Sequence, residues 1–278
     1  MTQHRILIQL EDSKGLVYHI SKIFYEYNLN IISNNEFVDR DKNKFFMRTV
    51  VSGDINTNNL LKALQAKLPK QASINVTPKK NHDIIIFATK ESHALGDLLI
   101  RHESGELDAN IIAVASNHQS LEPLVSKFNL PYHSISAEGL SKAEHEAEIF
   151  ELLDQYENID YLVLAKYMRI LSPDFVSKYK NKIINIHHSF LPAFIGANPY
   201  KQAYNRGVKI IGATAHFVTD DLDEGPIIAQ DTIHVDHAHS WKDMQALGKN
   251  VEKVVLANAL KLLFEDRVFL HGNKTVIL

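Results

Sequence analysis

Asn185 and His187 stand two residues apart in the run Asn-Ile-His-His-Ser-Phe-Leu-Pro, His216 follows within Ala-Thr-Ala-His-Phe-Val-Thr, and Asp223 precedes Glu-Gly-Pro. On a strand, residues two apart point to the same side, so Asn185 and His187 project together into whatever space that strand faces. An amide donor, an imidazole and a carboxylate are the parts needed to carry a carbonyl carbon through a tetrahedral intermediate. The pair alone also suits a hydrogen-bonded core histidine beside a turn asparagine. Adding Asp223 and His216, both polar among apolar neighbours, turns the balance toward an acyl-handling site.

The remaining candidates divide by what their spacing allows. The loop Thr89 to Asp97 contains one glycine and lacks the Gly-rich turn a pyrophosphate needs, and no Walker-type lysine loop occurs, which excludes a dinucleotide oxidoreductase and a nucleoside triphosphatase. His234-Val-Asp-His-Ala-His239 lacks the zincin spacing and reads as a solvated loop before the last helix. His187 and His188, adjacent on a strand, should point to opposite faces, against joint chelation. Near the N-terminus, Asp12, Gly15, Leu16 and Val17 set a carboxylate and a flexible residue at a helix start, where free N–H groups could hold a small carboxylate ligand. Alternatively, Asp12 or Ser13 simply caps that helix.

The elements that must position these groups fall into two rhythms. Residues 1–80 give strand, helix, two strands, helix, strand: Arg5–Leu10, Leu16–Tyr27, Ile31–Val38, Lys44–Val51, Thr57–Leu68 and Ala72–Val76. This is the split βαβ order of a ferredoxin-like domain. Thr77 to His82 is polar, contains proline and reads as the linker. Over 83–278 short apolar strands (Ile84–Ala88, Ile111–Ala115, Tyr161–Ala165, Lys182–Ile186) alternate with helices at Ser92–His102, Leu121–Phe128 and Ser141–Gln155. That alternation predicts a mainly parallel, Rossmann-like α/β sheet whose ligands collect at the carboxyl ends of the strands. A helix at Pro199–Arg206, a strand pair at Val208–Val218 and Pro226–Ile233, and a long helix at Trp241–Phe264 complete the domain.

Composition sets outer limits. Thirty Lys+Arg against 33 Asp+Glu give a net charge of -3, with no global excess of positive charge for nucleic acid. The absence of cysteine excludes disulfides, thiolate nucleophiles and cysteine-ligated zinc, and suits a reducing cytoplasm. The first residues enter a strand pattern rather than a signal peptide, and no long apolar run suggests a membrane span, so a cytoplasmic location is expected.

Asn185-x-His187, His216 and Asp223, in His-Phe-Val-Thr-Asp-Asp-Leu-Asp-Glu-Gly-Pro, resemble the signature of the folate-dependent formyltransferase fold over most of residues 83–278. Residues 1 to about 80, through Asp12-x-x-Gly15-Leu16-Val17 and the strand order, resemble an ACT domain. An ACT domain ahead of a formyl-transfer domain is the arrangement of the formyltetrahydrofolate deformylase family. The run from His188 through Leu191, Pro192, Phe194, Gly196 and Ala197 to Pro199-Tyr200 supports that choice, since the transformylase-type motif usually has proline where His188 stands. The first loop likewise departs from the phosphate-holding Gly-Ser-Asn turn of the transformylases.

The resemblance implies hydrolysis of 10-formyltetrahydrofolate to tetrahydrofolate and formate, feeding formate to purine biosynthesis, with no metal and no nucleotide cofactor. It implies that Met168, Arg169, Ile170 and Leu171, completed by Val218, Thr219, Asp220, Asp221 and Leu222, hold the pterin, with Arg169 meeting the glutamyl tail or lying free on the surface. Asp223 would orient and deprotonate water, directly or through His187. Asn185 and protonated His187 would donate to the oxyanion, and His216 would position Asp223 or the water. The ACT resemblance implies a homo-oligomer and an amino-acid effector. Two rivals remain: a formyltransferase acting on an amine such as glycinamide ribonucleotide, and a regulatory protein whose second domain has lost activity.

Overall fold

The computed structural model describes residues 2–193 and 198–278; Phe194, Gly196 and Ala197 of the quoted motif lie outside the described residues. The chain forms two compact units, the first comprising the residues up to Lys80 together with Glu265–His271 and Val276–Leu278, the second Asn81–Phe264 and Gly272–Thr275.

In the first unit β1 (Gln3–Glu11), α1 (Leu16–Glu26), β2 (Asn30–Asp39), β3 (Lys44–Ser52), α2 (Thr57–Lys67) and β4 (Ser73–Pro78) follow the expected βαββαβ order. The strands form one sheet in the order β2-β3-β1-β4, and β1 runs antiparallel to both its neighbours. Alternation along β1 and β3 sends Ile6, Ile8, Leu10, Phe45 and Met47 to one face, where they pack with Leu16, Ile20 and Phe24 of α1 and Leu60 and Leu64 of α2. The intervening residues, Arg5, Phe46 and Arg48, are also buried. Their cover comes from the other end of the chain. Arg48 donates through two nitrogens to the one backbone carbonyl oxygen of Glu265, at 2.7 and 3.0 Å, Arg5 pairs with Asp266 at 3.0 Å, and the Phe46 ring lies edge-on to Phe269.

The second expected domain, 83–278, therefore differs at its far end. Two short strands beyond the last long helix, β12 (Val268–His271) and β13 (Lys274–Ile277), are missing from the expected elements although they flank a Gly-Asn pair typical of a hairpin, and the first of them belongs to the first unit. The linker also shrinks, because Thr77 and Pro78 remain paired with Arg5 and His4 on β1 while the next strand already starts at His82.

The second unit contains, in order, β5 (His82–Ala88), α3 (His93–Glu103), β6 (Ala109–Ser116), α4 (Glu122–Val125), β7 (Tyr132–Ser134), α5 (Lys142–Leu153), β8 (Tyr161–Leu164), α6 (Pro173–Lys178), β9 (Ile183–His187), α7 (Pro199–Arg206), β10 (Ile210–Phe217), β11 (Ile227–His234) and α8 (Trp241–Phe264). Its seven-stranded sheet runs β11-β10-β9-β8-β5-β6-β7. The strands from β9 to β7 are parallel, while β10 runs antiparallel to β9 and β11. The helix expected over Leu121–Phe128 is instead one α-helical turn between two 3-10 turns. The one over Ser141–Gln155 starts from a capping box, in which Ser141 accepts from the Glu144 amide and Glu144 accepts from the Ser141 amide. Strand order reverses at β5 and β8, so the loops after β5, β8 and β9 open at a switch point. No described helix is long and apolar enough to cross a membrane.

Candidate active site

Strand register brings three of the four polar candidates together. β10 pairs with β9 so that His216 lies opposite Asn185 and Thr214 opposite His187, which places these four residues on one face. Asn185 Nδ2 reaches His216 Nε2 at 3.2 Å. Asp223 arrives from the loop after β10 and sets Oδ1 3.3 Å from His187 Nδ1 and 3.7 Å from His216 Nε2. Two backbone features hold that loop. Asp223 adopts a left-handed φ of 58°, and two residues later Gly225 lies so close to β10 that a Cβ would stand 1.8 Å from the Phe217 carbonyl oxygen. Only glycine admits this approach, and without it Asp223 could not reach the two rings.

Hydrogen bonding settles the tautomer of His216. Its Nδ1 lies 2.9 Å from the Phe217 carbonyl oxygen, which can only accept, so the proton sits on Nδ1. In the neutral ring Nε2 is then an acceptor, and the Asn185 amide must donate to it. Burial lowers the pKa of His216 first, and the neighbouring His187 adds to this, against the opposing pull of the Phe217 carbonyl and Asp223. Burial works to raise Asp223, but the hydrogen bond and charge of His187, with His216 and His188, outweigh it and hold the carboxyl below its ordinary range. His187 is 5% exposed, and its Nε2 is buried without a hydrogen-bond partner. The ring belongs to the cavity wall, and a buried nitrogen without a partner there can take one from whatever fills the cavity.

These side chains line a cavity of 660 Å³, a size suited to a cofactor-scale ligand. Met168, Arg169, Ile170, Leu171, Val218, Thr219, Asp220 and Leu222 all line it. Asp221 does not: its side chain is exposed, and its carbonyl accepts the Thr219 hydroxyl at 3.1 Å to close the turn.

A second polar cluster, absent from the sequence reading, forms part of the same wall. Glu252 of α8 is 1% exposed and accepts from Tyr200 Oη at 2.6 Å, lies 2.8 Å from His93 Nε2, and pairs with Lys166 Nζ at 3.4 Å. Gly248, one turn earlier on α8, leaves the space that the Tyr200 phenol fills. Glu91 extends the cluster, 3.3 Å from His93 Nδ1 and 3.0 Å from Lys249 Nζ, and the His93 bond above all lowers it to about 2. Burial opposes the charged form of His93, yet its bonds to Glu252 and Glu91 prevail and raise it. The available signal was a carboxylate on the otherwise apolar buried face of a helix, four residues after a glycine.

His188 overturns the opposite-face expectation. β9 ends at His187, so alternation stops there, and the two rings lie side by side with centroids 5.1 Å apart. The segment after β11 is an exposed turn in which Asp236 pairs with His239 at 2.7 Å. In the first unit neither Asp12 nor Ser13 caps α1: the N-cap is Gly15, at φ 92°, with no side-chain cap bond. Leu16 is buried in the core and Val17 is exposed, so of the four effector candidates Leu16 serves packing instead.

The formyl transferase family model matches residues 82–260, and the ACT domain model matches residues 4–68. A formyltetrahydrofolate deformylase of Escherichia coli is 53% identical over 96% of this chain and 95% of its own length, and that of Haemophilus influenzae is 50% identical over the whole of both. Among solved structures, a formyltetrahydrofolate deformylase from Pseudomonas syringae superposes with a TM-score of 0.95 at 38% identity, covering 100% of this chain and 95% of that one. A glycinamide ribonucleotide transformylase from Symbiobacterium toebii is more distant, with a TM-score of 0.67 at 29% identity, covering 71% of this chain and 94% of that one. The transformylase likeness covers 71% of the chain, whereas the deformylases match 96 to 100% of it. On this ground the chain belongs to the formyltetrahydrofolate deformylase family.

Proposed function

We propose that this chain hydrolyses 10-formyltetrahydrofolate to tetrahydrofolate and formate, with Asp223, His187, Asn185 and His216 as the working set. The observation that carries the reading is the His187–Asp223 pair at 3.3 Å beside the unpartnered His187 Nε2. The formyl group on the folate nitrogen is amide-like, and neutral water attacks such a carbon slowly. Asp223, held ionised, takes a proton from the attacking water. His187, as the imidazolium whose Nδ1–H faces Asp223, offers Nε2–H to the oxygen that gains charge. Asn185 gives one N–H to His216 and keeps its second for the same oxygen. His216 thus orients the Asn185 amide, a role that its 3.2 Å bond supports better than the 3.7 Å approach to Asp223.

Met168 to Leu171 and Val218 to Leu222, without Asp221, hold the pterin in this reading, and the partly exposed Arg169 meets the glutamyl tail. Four side chains supply base, donors and orientation, so the reaction as proposed draws on neither metal nor nucleotide cofactor. The cytoplasm, which the absence of cysteine suits, is the proposed place of work, and formate supply to purine biosynthesis the proposed role.

For the first unit we propose pairing between copies and an amino-acid effector near Asp12, Gly15 and Val17. The outer strand β2 leaves Ile31, Ile32 and Phe37 exposed, and the first turn of α1 has no side-chain cap. Light scattering and thermal shift with a panel of amino acids test both points. The decisive assay for the enzyme follows folate absorbance with purified protein, with and without glycinamide ribonucleotide. Formate release independent of the amine is expected. Turnover that requires the amine and yields a formylated product would replace hydrolysis with transfer.

A further inference from the structure

Among the polar groups of the cavity that the proposed steps leave unused, His188 is adjacent in sequence to His187 of the working set. It lies in the wall shared with Lys166, Tyr200 and Glu252: its ring centroid is 6.2 Å from that of Tyr200 and 5.1 Å from that of His187. The turn that carries it is pinned from below. Thr214 on β10 donates to the Ser189 carbonyl at 2.9 Å and accepts from the Leu191 amide at 3.0 Å, while Gln230 donates to Thr214 Oγ1 at 2.8 Å and to the Leu191 carbonyl at 3.0 Å. A water bonded at about 2.8 Å to each of two groups can span the separation between neighbouring rings of this kind.

Lys166 stands beside it in an unusual state. The side chain is 6% exposed, the backbone is left-handed at φ 64°, and Glu252 anchors the ammonium at 3.4 Å. A non-glycine residue held in that conformation at the end of a strand, with its charge kept indoors, points to a functional constraint.

We propose that His188 is a catalytic residue that accepts a hydrogen bond from the attacking water, and that Lys166, fixed by Glu252, is the positioning residue that keeps the ring in its accepting form. This rests on the hydrolytic reading above. The water oxygen forms its bond to the formyl carbon as the carbonyl pair moves to oxygen. One water proton passes to Asp223 while the other O–H stays directed at His188. On collapse the C–N bond breaks, its electron pair returns to the folate nitrogen with the proton from Asp223, and formic acid leaves and ionises in solvent.

The groups facing His188 account for its state. Burial first, then the Lys166 ammonium and His187, lower the imidazole to about 4, against the pull of Glu252 and Asp223 in the other direction. An imidazolium has no free acceptor, so hydrolysis should fail as this ring is protonated.

The test compares wild type, His188→Phe, His188→Asn and Lys166→Met in hydrolysis of a 10-formyl folate analogue lacking N5, which cannot cyclise in acid. His188→Phe should lower kcat by about 100-fold with little change in KM, and His188→Asn, which restores an acceptor, should recover at least tenfold of that loss. Lys166→Met should move the acid limb of kcat upward from about 4 toward the ordinary imidazole range. A His188→Phe kcat within about threefold of wild type, or an acid limb unmoved in Lys166→Met, overturns the inference. If His188→Phe fails to fold, His188→Asn and the Lys166→Met profile still decide it. A wild-type protein without hydrolytic activity would instead remove the functional reading beneath it.

Discussion

Asp223→Asn isolates the charge of the carboxylate from its place in the backbone. Asparagine tolerates the left-handed φ of 58° found here, so the loop and its Gly225 contact should persist while the negative charge is lost. At the 3.3 Å separation between Asp223 and His187, and with an effective dielectric constant of about 20, opposite unit charges attract by about 5 kcal/mol before the cost of taking them out of water is subtracted. If only part of that attraction is expressed at the transition state, the loss still spans about 3 to 5 kcal/mol, or roughly 100- to 10,000-fold in rate, which is also the range typical of removing a general base. We expect kcat to fall about 1,000-fold with KM and melting temperature nearly unchanged. The assay is initial-rate folate absorbance over a range of substrate concentrations, paired with a thermal melt. A kcat within about tenfold of wild type in a folded variant would refute the assignment of Asp223 as the base.

The other predictions probe the supports of that carboxylate. Asn185→Ala should reduce kcat by about 100- to 1,000-fold with the fold intact, and turnover within twofold would remove the amide from oxyanion binding. Gly225→Ala, whose Cβ would meet the Phe217 carbonyl at 1.8 Å, should displace the Asp223 loop, destabilise by about 1–3 kcal/mol and lower kcat by about 100-fold. An unchanged melt and rate would show that the loop has slack. Glu252→Ala leaves Lys166 and His93 without their buried partner and should lose about 3–5 kcal/mol, seen as a drop of about 10 °C in calorimetry, whereas a shift under about 2 °C would mean that the cluster is solvated.

What could be read from the residues follows from physical range. Local periodicity found α1, β2, β3 and α8 almost to the residue, because each element's apolar spacing is written within its own segment. The Asn185–His187 pair was readable for the same reason, as strand alternation is local. Asp221 shares the expected stretch with residues that line the pocket, and its exposure, in a turn where its carbonyl accepts the Thr219 hydroxyl, depends on loop geometry that spacing does not encode. The expectation for His188 failed because alternation was carried one residue past the end of β9. The cluster of Lys166, His93, Tyr200 and Glu252 joins four elements or loops separated by up to 159 residues, and only the fold brings them into contact. Of the four, the glutamate inside an apolar helix face was the sole local clue.

The return of the chain's last residues to the first sheet means that the N-terminal module is not a detachable cassette. Cut after Lys80, it would present the Phe46 ring to water and leave Arg48 without the Glu265 carbonyl that receives it. Fragments meant to report on effector binding therefore need the C-terminal residues supplied as well, in cis through a short linker or as an added peptide.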